Sequence, residues 1–548
     1  MSDHPNTKSA QAPAAAAMQE AAWWRGAVIY QIYPRSFRDT NDDGVGDFRG
    51  CIEGLDYIAS LDVDAVWLSP FFKSPMRDFG YDVSDYRDVD PLFGSLADFD
   101  AFLAGAHARG LKVVIDQVYS HTSDEHAWFA ESRQSRDNAK ADWYVWADPK
   151  PDGSPPNNWQ SVFAGCCWEW DARRRQYFLH NFLPSQPDLN LHNPQVQNAV
   201  LEVAKFWLDR GVDGFRLDAL NFAMHDPHLR DNPPLKVFEK PPTRPFDFQD
   251  HIYNQSHADI PHFIEKIRAT LDRYAGTFTV AEVGGARADE EMKLYTAGDS
   301  RLNTAYSFDY LYAPKITPAL VSALADRWPE DAPWPSWAFS NHDAPRAVSR
   351  WARPETQDAA AQLYAMLLMA LRGNVFLYQG EELGLPQAEV PYHRLQDPEA
   401  ISNWPLTLGR DGARTPMPWR KDAAFAGFSS VEPWLPVDAR HQALAIDAQE
   451  KDAASTLNAT RRLIALRKSR TSLRLGAMSV IAAKGDLLAF ERAWAGERTL
   501  CVFNLGESAV KFASTDTPRA SILASTIAGE GAAPPATLPP LSGYIAAI

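Results

Sequence analysis

The sequence predicts an α/β protein built on a (β/α)8 TIM barrel, with a small domain inserted after the third strand and a β-sandwich at the C-terminal end. Three observations point there. Short apolar runs rich in Val, Ile, Leu, Tyr and Phe recur eight times before Gly380. Runs without alternation suit strands buried on both faces, as in a parallel sheet. Helical patterns lie between them, and β-rich sequence follows the last. A doubly wound α/β sheet is the structural alternative.

The eight runs are Val28–Pro34, Ala65–Phe72, Lys112–Val118, Gly214–Leu220, Thr277–Val283, Asn303–Tyr310, Trp337–Asp343 and Asn374–Gly380. Leu96–Arg109 reads as a helix before the third run and Val196–Arg210 as one before the fourth, with Gly211 as its C-cap. Uneven spacing marks the additions. Trp143–Asn193 holds Pro-Asp-Gly, Pro-Pro-Asn-Asn and several aromatics, so residues 119–194 read as an inserted domain. Asn221–Ala258 reads as a long loop over one barrel face, and Leu385–Asp422 as another excursion after the eighth strand. The barrel then comprises residues 21–118 and 195–475, after a disordered start over 1–20. Ala453–Ser469 closes it as a helix, and 476–548 form a separate β-sandwich.

Composition bounds the function. The 548 residues carry 54 basic and 70 acidic side chains, a formal charge of −16, with no basic cluster for nucleic-acid phosphates. No run approaches the roughly 20 apolar residues that cross a bilayer. Residues 1–20 lack a basic cluster, and the run Ala14–Met18 is too short for a secretory core. Cys51, Cys166, Cys167 and Cys501 show no CxxC spacing, so reduced thiols and a cytoplasmic location are expected. A monomer or homodimer with no nucleic-acid or membrane partner follows. The 18 Trp, 18 Tyr and 28 Phe either fill a core or supply flat faces for sugars.

Barrel chemistry sits at strand C-termini. Those ends carry Asp116, His121, Arg216, Asp218, Glu282 and Asn341-His342-Asp343. Any one such Asp can be a helix cap or an ion-pair partner, and either His can be satisfied in the core. Several converging from separate strands suit glycoside hydrolysis: a nucleophile, an acid/base and a stabiliser of an oxocarbenium-like transition state. Arg216 and Asp218 lie two apart, on one side of a strand, where the cation favours ionised Asp218. Glu282, as proton donor, needs a raised pKa.

With these residues in place, the sequence resembles the α-amylase superfamily (glycoside hydrolase family 13), in its α-glucosidase / oligo-1,6-glucosidase branch. The resemblance covers about residues 22–548. It rests on Asp116-Gln-Val-Tyr-Ser-His121, Gly214-Phe-Arg-Leu-Asp-Ala-Leu-Asn221, Ala281-Glu-Val283 and Asn341-His-Asp343, in order. Trp24–Ser36, Asp78-Phe-Gly-Tyr-Asp82, Gln186-Pro-Asp-Leu-Asn190, Tyr378-Gln-Gly-Glu-Glu382 and Arg414-Thr-Pro-Met-Pro-Trp419 support it. The resemblance implies Asp218 as nucleophile, Glu282 as acid/base and Asp343 as the third carboxylate. It places Asp78, Tyr81, His121, Arg216, His342 and Arg414 around a glucose, with Asp78 and Arg414 as the closed end wall and Tyr81 as the stacking platform. Phe163 and Phe182 resemble aromatic walls at the pocket mouth, or pack structurally.

Asp39-Thr-Asn-Asp-Asp-Gly-Val-Gly-Asp47 has oxygen ligands at alternating positions and a turn Gly, like the start of an EF-hand loop. The twelfth position is Gly50, so a true EF-hand is not expected. In the branch that the sequence resembles, the matching loop binds Ca2+ or Mg2+, which implies Asp39, Asn41, Asp43, the Val45 carbonyl and Asp47 as ligands in a structural role. A metal-free turn held by Asx bonds is the alternative. Ser120 stands where many amylases have a calcium-binding Asn, so no metal is expected there. Ala219 stands where α-1,6-acting members tend to carry Val, which implies α-1,4 linkages or sucrose. Gln186–Pro194 resembles bacterial disaccharide-preferring α-glucosidases with strong glucosyl transfer. The expected substrates are therefore small sugars and acceptor alcohols, with Asn221–Ala258 closing the aglycone side and no organic cofactor. A sucrose-specific enzyme and an α-1,6-acting oligoglucosidase are the alternatives.

Overall fold

The computed structural model describes residues 22–163, 165–236, 242–407, 409–513 and 519–548. The expected disordered start, 1–20, lies outside the described residues. Eight parallel strands form one sheet: β1 (Val28–Ile32), β2 (Ala65–Leu68), β3 (Lys112–Val118), β4 (Gly214–Asp218), β5 (Phe278–Val283), β6 (Thr304–Ser307), β7 (Ser336–Ala338) and β8 (Asn374–Tyr378). The order is β6-β5-β4-β3-β2-β1-β8-β7, the sequential order of a barrel rather than the reversing order of a doubly wound sheet. The sheet's two ends, β6 and β7, share no backbone ladder. Side chains stitch them instead: the Thr304 hydroxyl lies 2.9 Å from the Ser336 hydroxyl and 2.7 Å from the Trp334 carbonyl oxygen.

All eight strands fall within or beside the apolar runs, β3 with the same bounds and the others with shorter ones. The seventh is the clearest case, since β7 stops at Ala338 and Asp343 lies in the loop beyond it. Helix α1 (Leu96–Ala108) begins at a capping box, the Ser95 hydroxyl accepting from Asp98 N–H and the Asp98 carboxylate accepting from Ser95 N–H. Helix α2 (Pro194–Asp209) starts with an Asn193 cap and Pro at its first position. Gly211 follows it at φ 101°, in the left-handed region. Much of the aromatic load is core: Phe48, Phe71, Phe99 and Trp207 interlock at centroid distances of 5.0–5.7 Å.

After β3 the chain forms a three-stranded antiparallel sheet, with Gln176–Leu179 between Trp146–Ala147 and Trp168–Asp171. It has a small core of its own, including Trp159, Cys167 and Leu179. The described part of the Asn221–Ala258 excursion packs against this insertion. Trp159 Nε1 donates to the Arg230 carbonyl at 2.8 Å and Asn157 Nδ2 to that of Leu229 at 3.1 Å.

The C-terminal strands are β9 (Ala477–Lys484), β10 (Leu487–Trp494), β11 (Glu497–Asn504), β12 (Ser521–Ser525) and β13 (Ser542–Ala547), in the antiparallel order β9-β10-β11-β13-β12. A two-stranded ribbon, Val510–Lys511 with Thr537–Leu538, packs on one face through Leu500, Val502, Leu538 and Tyr544. The other face is part of the barrel's own core. Leu488, Phe490, Cys501 and Phe503 join Leu363 and Leu367 of helix α4 (Gln357–Ala370) and Leu463 of helix α5 (Thr456–Ser469). The tail is thus the antiparallel C-terminal β domain expected, seated on the barrel by one face. Its period-2 alternation buries both faces, one under the ribbon and one on the barrel.

Candidate active site

Strand register assembles the centre. In the β3–β4 ladder Asp116 is paired with Arg216, and in the β5–β6 ladder Glu282 is paired with Tyr306. Side chains at matched registers point the same way from neighbouring strands, so Arg216 meets three carboxylates. Its Nη1 lies 2.8 Å from Asp116 and 2.5 Å from Asp218, and its Nη2 lies 2.6 Å from Glu282. Nε and Nη2 also donate to the Tyr306 hydroxyl at 3.1 Å. That hydroxyl donates onward to Glu282 at 3.2 Å.

One cation among three buried carboxylates sets the protonation. Burial pushes Asp218 up to about 7, with Asp116 adding to the rise and Arg216 opposing it. Burial likewise carries Glu282 to about 7 and Asp116 to about 6, against the pull of Arg216. Arg216 favours ionised Asp218, as expected, but burial outweighs it. Asp343 behaves oppositely. Burial alone would raise it, but the His342 ring and the guanidiniums of Arg414 and Arg410 hold it well below the usual range. Burial lowers His342 to about 3, so it is neutral at pH 7 and the two guanidiniums carry the effect.

Around this centre, Tyr81 and His342 lie with rings within 8° of parallel, the hydroxyl 2.5 Å from Nε2. Gln31 Nε2 holds the other ring nitrogen of His342 at 2.8 Å. His121 Nδ1 meets the Ser120 hydroxyl at 2.9 Å, and its ring lies 5.0 Å from that of Phe182. Phe163 sits 5.9 Å from Phe182 and 5.0 Å from the Arg410 guanidinium. The predicted pocket residues are thus gathered in one place. Arg414 Nη2 donates to Asp343 at 2.6 Å. Asp78 pairs with Arg410 at 2.8 Å, and Arg410 also holds Asp397 at 2.8 Å. A one-turn segment, Asp411–Ala413, separates the two arginines, and Arg410 Nη1 also reaches Asp343, at 3.5 Å. Gln186 Nε2 lies 3.1 Å from Asp78 and 3.2 Å from His121 Nε2, and Arg410, Tyr306 and Gln186 are the residues missed as individuals. The doublet Arg410…Arg414 and the polar end of the sixth strand were the available signals.

Ala219, directly after Asp218, adopts φ 41° and ψ 43°. A left-handed alanine at a strand end marks stored strain where chemistry is concentrated.

The Asp39–Asp47 loop lies apart, beside Ser429 and Ser430. Asp39 accepts from the amides of Asn41, Asp42 and Gly44 at 2.9–3.0 Å, and Asp47 from those of Thr40 and Gly50. Asp43 accepts from Val45 N–H at 2.8 Å. The donor set is all oxygen and suits a hard cation in kind. Each carboxylate already serves the turn, and lone pairs remain on the exposed Asn41 and Asp43. Among the described residues no helix is long and apolar enough to cross a membrane.

Comparisons with known proteins agree with this arrangement. The model of the α-amylase catalytic domain matches residues 31–476. The chain is 53% identical over 496 residues to a "Probable alpha-glucosidase" of Rhizobium meliloti (strain 1021), covering 89% of this chain and 90% of the relative. It is 38% identical over 536 residues to an oligo-1,6-glucosidase of Heyndrickxia coagulans, covering 90% and 94%. Among solved structures it is similar to an alpha-glucosyl transfer enzyme, XgtA, at 48% identity and a TM-score of 0.90, covering 96% of this chain and all of the other. The trehalulose synthase MutB from Pseudomonas mesoacidophila MX-45 follows at 32% identity and a TM-score of 0.86, covering 96% and 99%. With an eight-stranded parallel barrel, three carboxylates at its strand ends and a fourth in the loop after β7, and a family match over most of its length, the chain belongs to the α-amylase family of glycoside hydrolases.

Proposed function

We propose that this protein is a retaining exo-α-glucosidase that releases α-glucose from the non-reducing end of short, maltose-like α-1,4-glucosides and transfers glucosyl groups to acceptor alcohols. The observation that carries the reading is one guanidinium, Arg216, touching Asp218 at 2.5 Å and Glu282 at 2.6 Å. A spacing that a single guanidinium can bridge belongs with retaining enzymes, whose carboxyls lie about 5–5.5 Å apart, rather than with inverting ones at about 6.5–9.5 Å. The Asp78–Arg410 pair supports a pocket closed at one end, hence attack at a chain end.

Asp218 attacks the anomeric carbon while Glu282 gives its proton to the departing glycosidic oxygen. The C–O bond breaks, leaving a glucosyl ester on Asp218. Water or an alcohol then gives a proton back to Glu282, its oxygen bonds to the anomeric carbon, and Asp218 leaves. Asp343, kept ionised by Arg414 and Arg410, offsets the positive charge of both transition states. The assignment of nucleophile to Asp218 and acid to Glu282 rests on the family resemblance, since Arg216 contacts both.

Two variants test it. Asp218→Asn is expected to lose nearly all turnover. Glu282→Gln is expected to keep accepting glucose from α-glucosyl fluoride, whose leaving group needs no proton, and to yield α-glucosyl azide when azide is added. Normal maltose hydrolysis by Asp218→Asn would sink the assignment. A product-resolved assay on maltose, isomaltose and sucrose, with and without an alcohol acceptor, tests the substrate. Preference for isomaltose or sucrose would favour the second reading, an α-1,6-acting oligoglucosidase or a sucrose-specific hydrolase, which the likeness to the Heyndrickxia coagulans enzyme keeps in view.

Asp39, Asn41, Asp43, the Val45 carbonyl and Asp47 are proposed to hold one Ca2+ or Mg2+ that stiffens the loop. Elemental analysis should find about one such ion per chain, and chelator should lower the melting temperature. A metal-free protein whose melting is indifferent to chelator would contradict this.

A further inference from the structure

Three histidines cluster outside the pocket. His192 lies just before α2, His225 lies beyond β4 in the long excursion, and His257 ends that excursion just before helix α3 (Ile260–Leu271). The rings of His192 and His257 are 4.9 Å apart and nearly perpendicular, at 86°, and His225 stands 5.2 Å from His192. Among the described residues, His192, His257 and Asp259 are the one group of three such side chains gathered closely enough to share an ion, with ligand atoms within 4.8 Å of one another.

We propose that His192, His257 and Asp259 form a binding site for a divalent transition-metal cation of the zinc type, fastening the C-terminal end of the Asn221–Ala258 excursion to the start of α2. Two imidazoles and one carboxylate are the donor set of a borderline cation, and a tetrahedral ion keeps a fourth position for water. Calcium and magnesium, which take oxygen ligands, are poor matches. The tautomer of His192 is already arranged, while His257 Nδ1 accepts from Asp259 N–H at 3.2 Å, leaving Nε2 as its ligand atom once deprotonated. His192 Nε2 faces the His225 carbonyl oxygen at 2.7 Å, so the proton sits there and Nδ1 keeps its lone pair. A ligating histidine held through its other N–H by a backbone carbonyl is the usual outer support of a metal site. His192 and His257 are half-buried while Asp259 is exposed, which leaves an entry path from solvent.

The location gives the site a consequence. Three residues before His225, Phe222 packs 5.2 Å from Phe182, which in turn contacts His121 in the pocket. An ion joining His257 to His192 shortens the free length of the segment that carries Phe222.

The test uses the full chain, stripped with chelator and titrated with Zn2+ in the presence of excess Ca2+, which saturates the oxygen-ligand loop. One zinc per chain is expected, with a rise in melting temperature. Co2+ should give the intense visible bands of a four-coordinate ion. His257→Ala and Asp259→Ala lie on accessible positions outside the pocket; each should fold, hydrolyse substrate normally without zinc, and bind zinc at least about tenfold more weakly. Circular dichroism checks folding, and Asp259→Ala serves if His257→Ala does not fold. Absent zinc binding, or equal affinity in wild type and a folded variant, overturns the site. Binding that leaves the melting temperature unchanged overturns its fastening role.

Discussion

Asp218 and Glu282 share a difficulty. Each is buried and each leans on a guanidinium that also serves Asp116. A carboxyl raised in the folded state binds protons that the unfolded chain has already released. The site's contribution to stability is therefore favourable at low pH and is lost as pH rises from about 4 towards about 7, where Asp218 and Glu282 titrate. Asp218→Asn removes one charge from the cluster. It is expected to be more stable than wild type at pH 8, by on the order of 1–2 kcal/mol because the neighbours share the titration, with the gap closing by pH 5. Denaturant unfolding of both proteins at the two pH values measures it; a gap that does not depend on pH would contradict the argument. The same titrations place both limbs of the activity profile near pH 7. Activity falls on the acid side as Asp218 is protonated and on the alkaline side as Glu282 loses its proton. At this scale the sequence was largely legible, since Asp116, Arg216, Asp218, Glu282 and Asp343 stand in short motifs at strand ends. Arg410 was not, because its partner Asp78 lies 332 positions away and Arg414 offered an equal candidate.

At the scale of elements, the C-terminus of α4 shows how an interior can hold a cation without a carboxylate partner. Arg467, from α5, donates to the carbonyls of Gly26, Met369 and Leu371 at 2.6–3.1 Å and also to that of Gly373. Arg492, from β10, donates to Ala370 at 2.6 Å and to Gly476 at 2.8 Å. Helix-terminal carbonyls lack intrahelical donors and carry the negative end of the helix dipole, so two guanidiniums are well placed there. Burial still draws both down, Arg492 to about 9. Arg467→Met leaves several buried carbonyls unpaired. It is expected to lose about 3–5 kcal/mol in urea unfolding, and Arg467→Lys to recover only part, since an ammonium cannot fork to four acceptors. A Lys variant as stable as wild type would refute this account. The sequence located α5, as Ala453–Ser469, but could not show which of its faces meets α4. Alternation in the C-terminal strands likewise records that both faces are covered, but not that the cover of one face is a barrel.

For the molecule as a whole, the barrel strands were legible because eight apolar runs with helices between them admit few topologies, and right-handed crossovers leave the sequential one. What the runs could not reveal was where the ring closes. It closes between β6 and β7, where hydroxyl groups of Thr304 and Ser336 replace a backbone ladder. The circumference therefore has one compliant joint, and it lies between the strand bearing Tyr306 and the strand leading to His342 and Asp343. A sugar held on one side by the Arg216 cluster and on the other by Asp343 acts as a tie across that joint. Backbone amides of β6 and β7 should exchange with deuterium faster than those of β3 and β4 in the empty enzyme. They should slow when a non-hydrolysed glucose analogue fills the pocket; equal exchange in both states would mean that the joint does not yield.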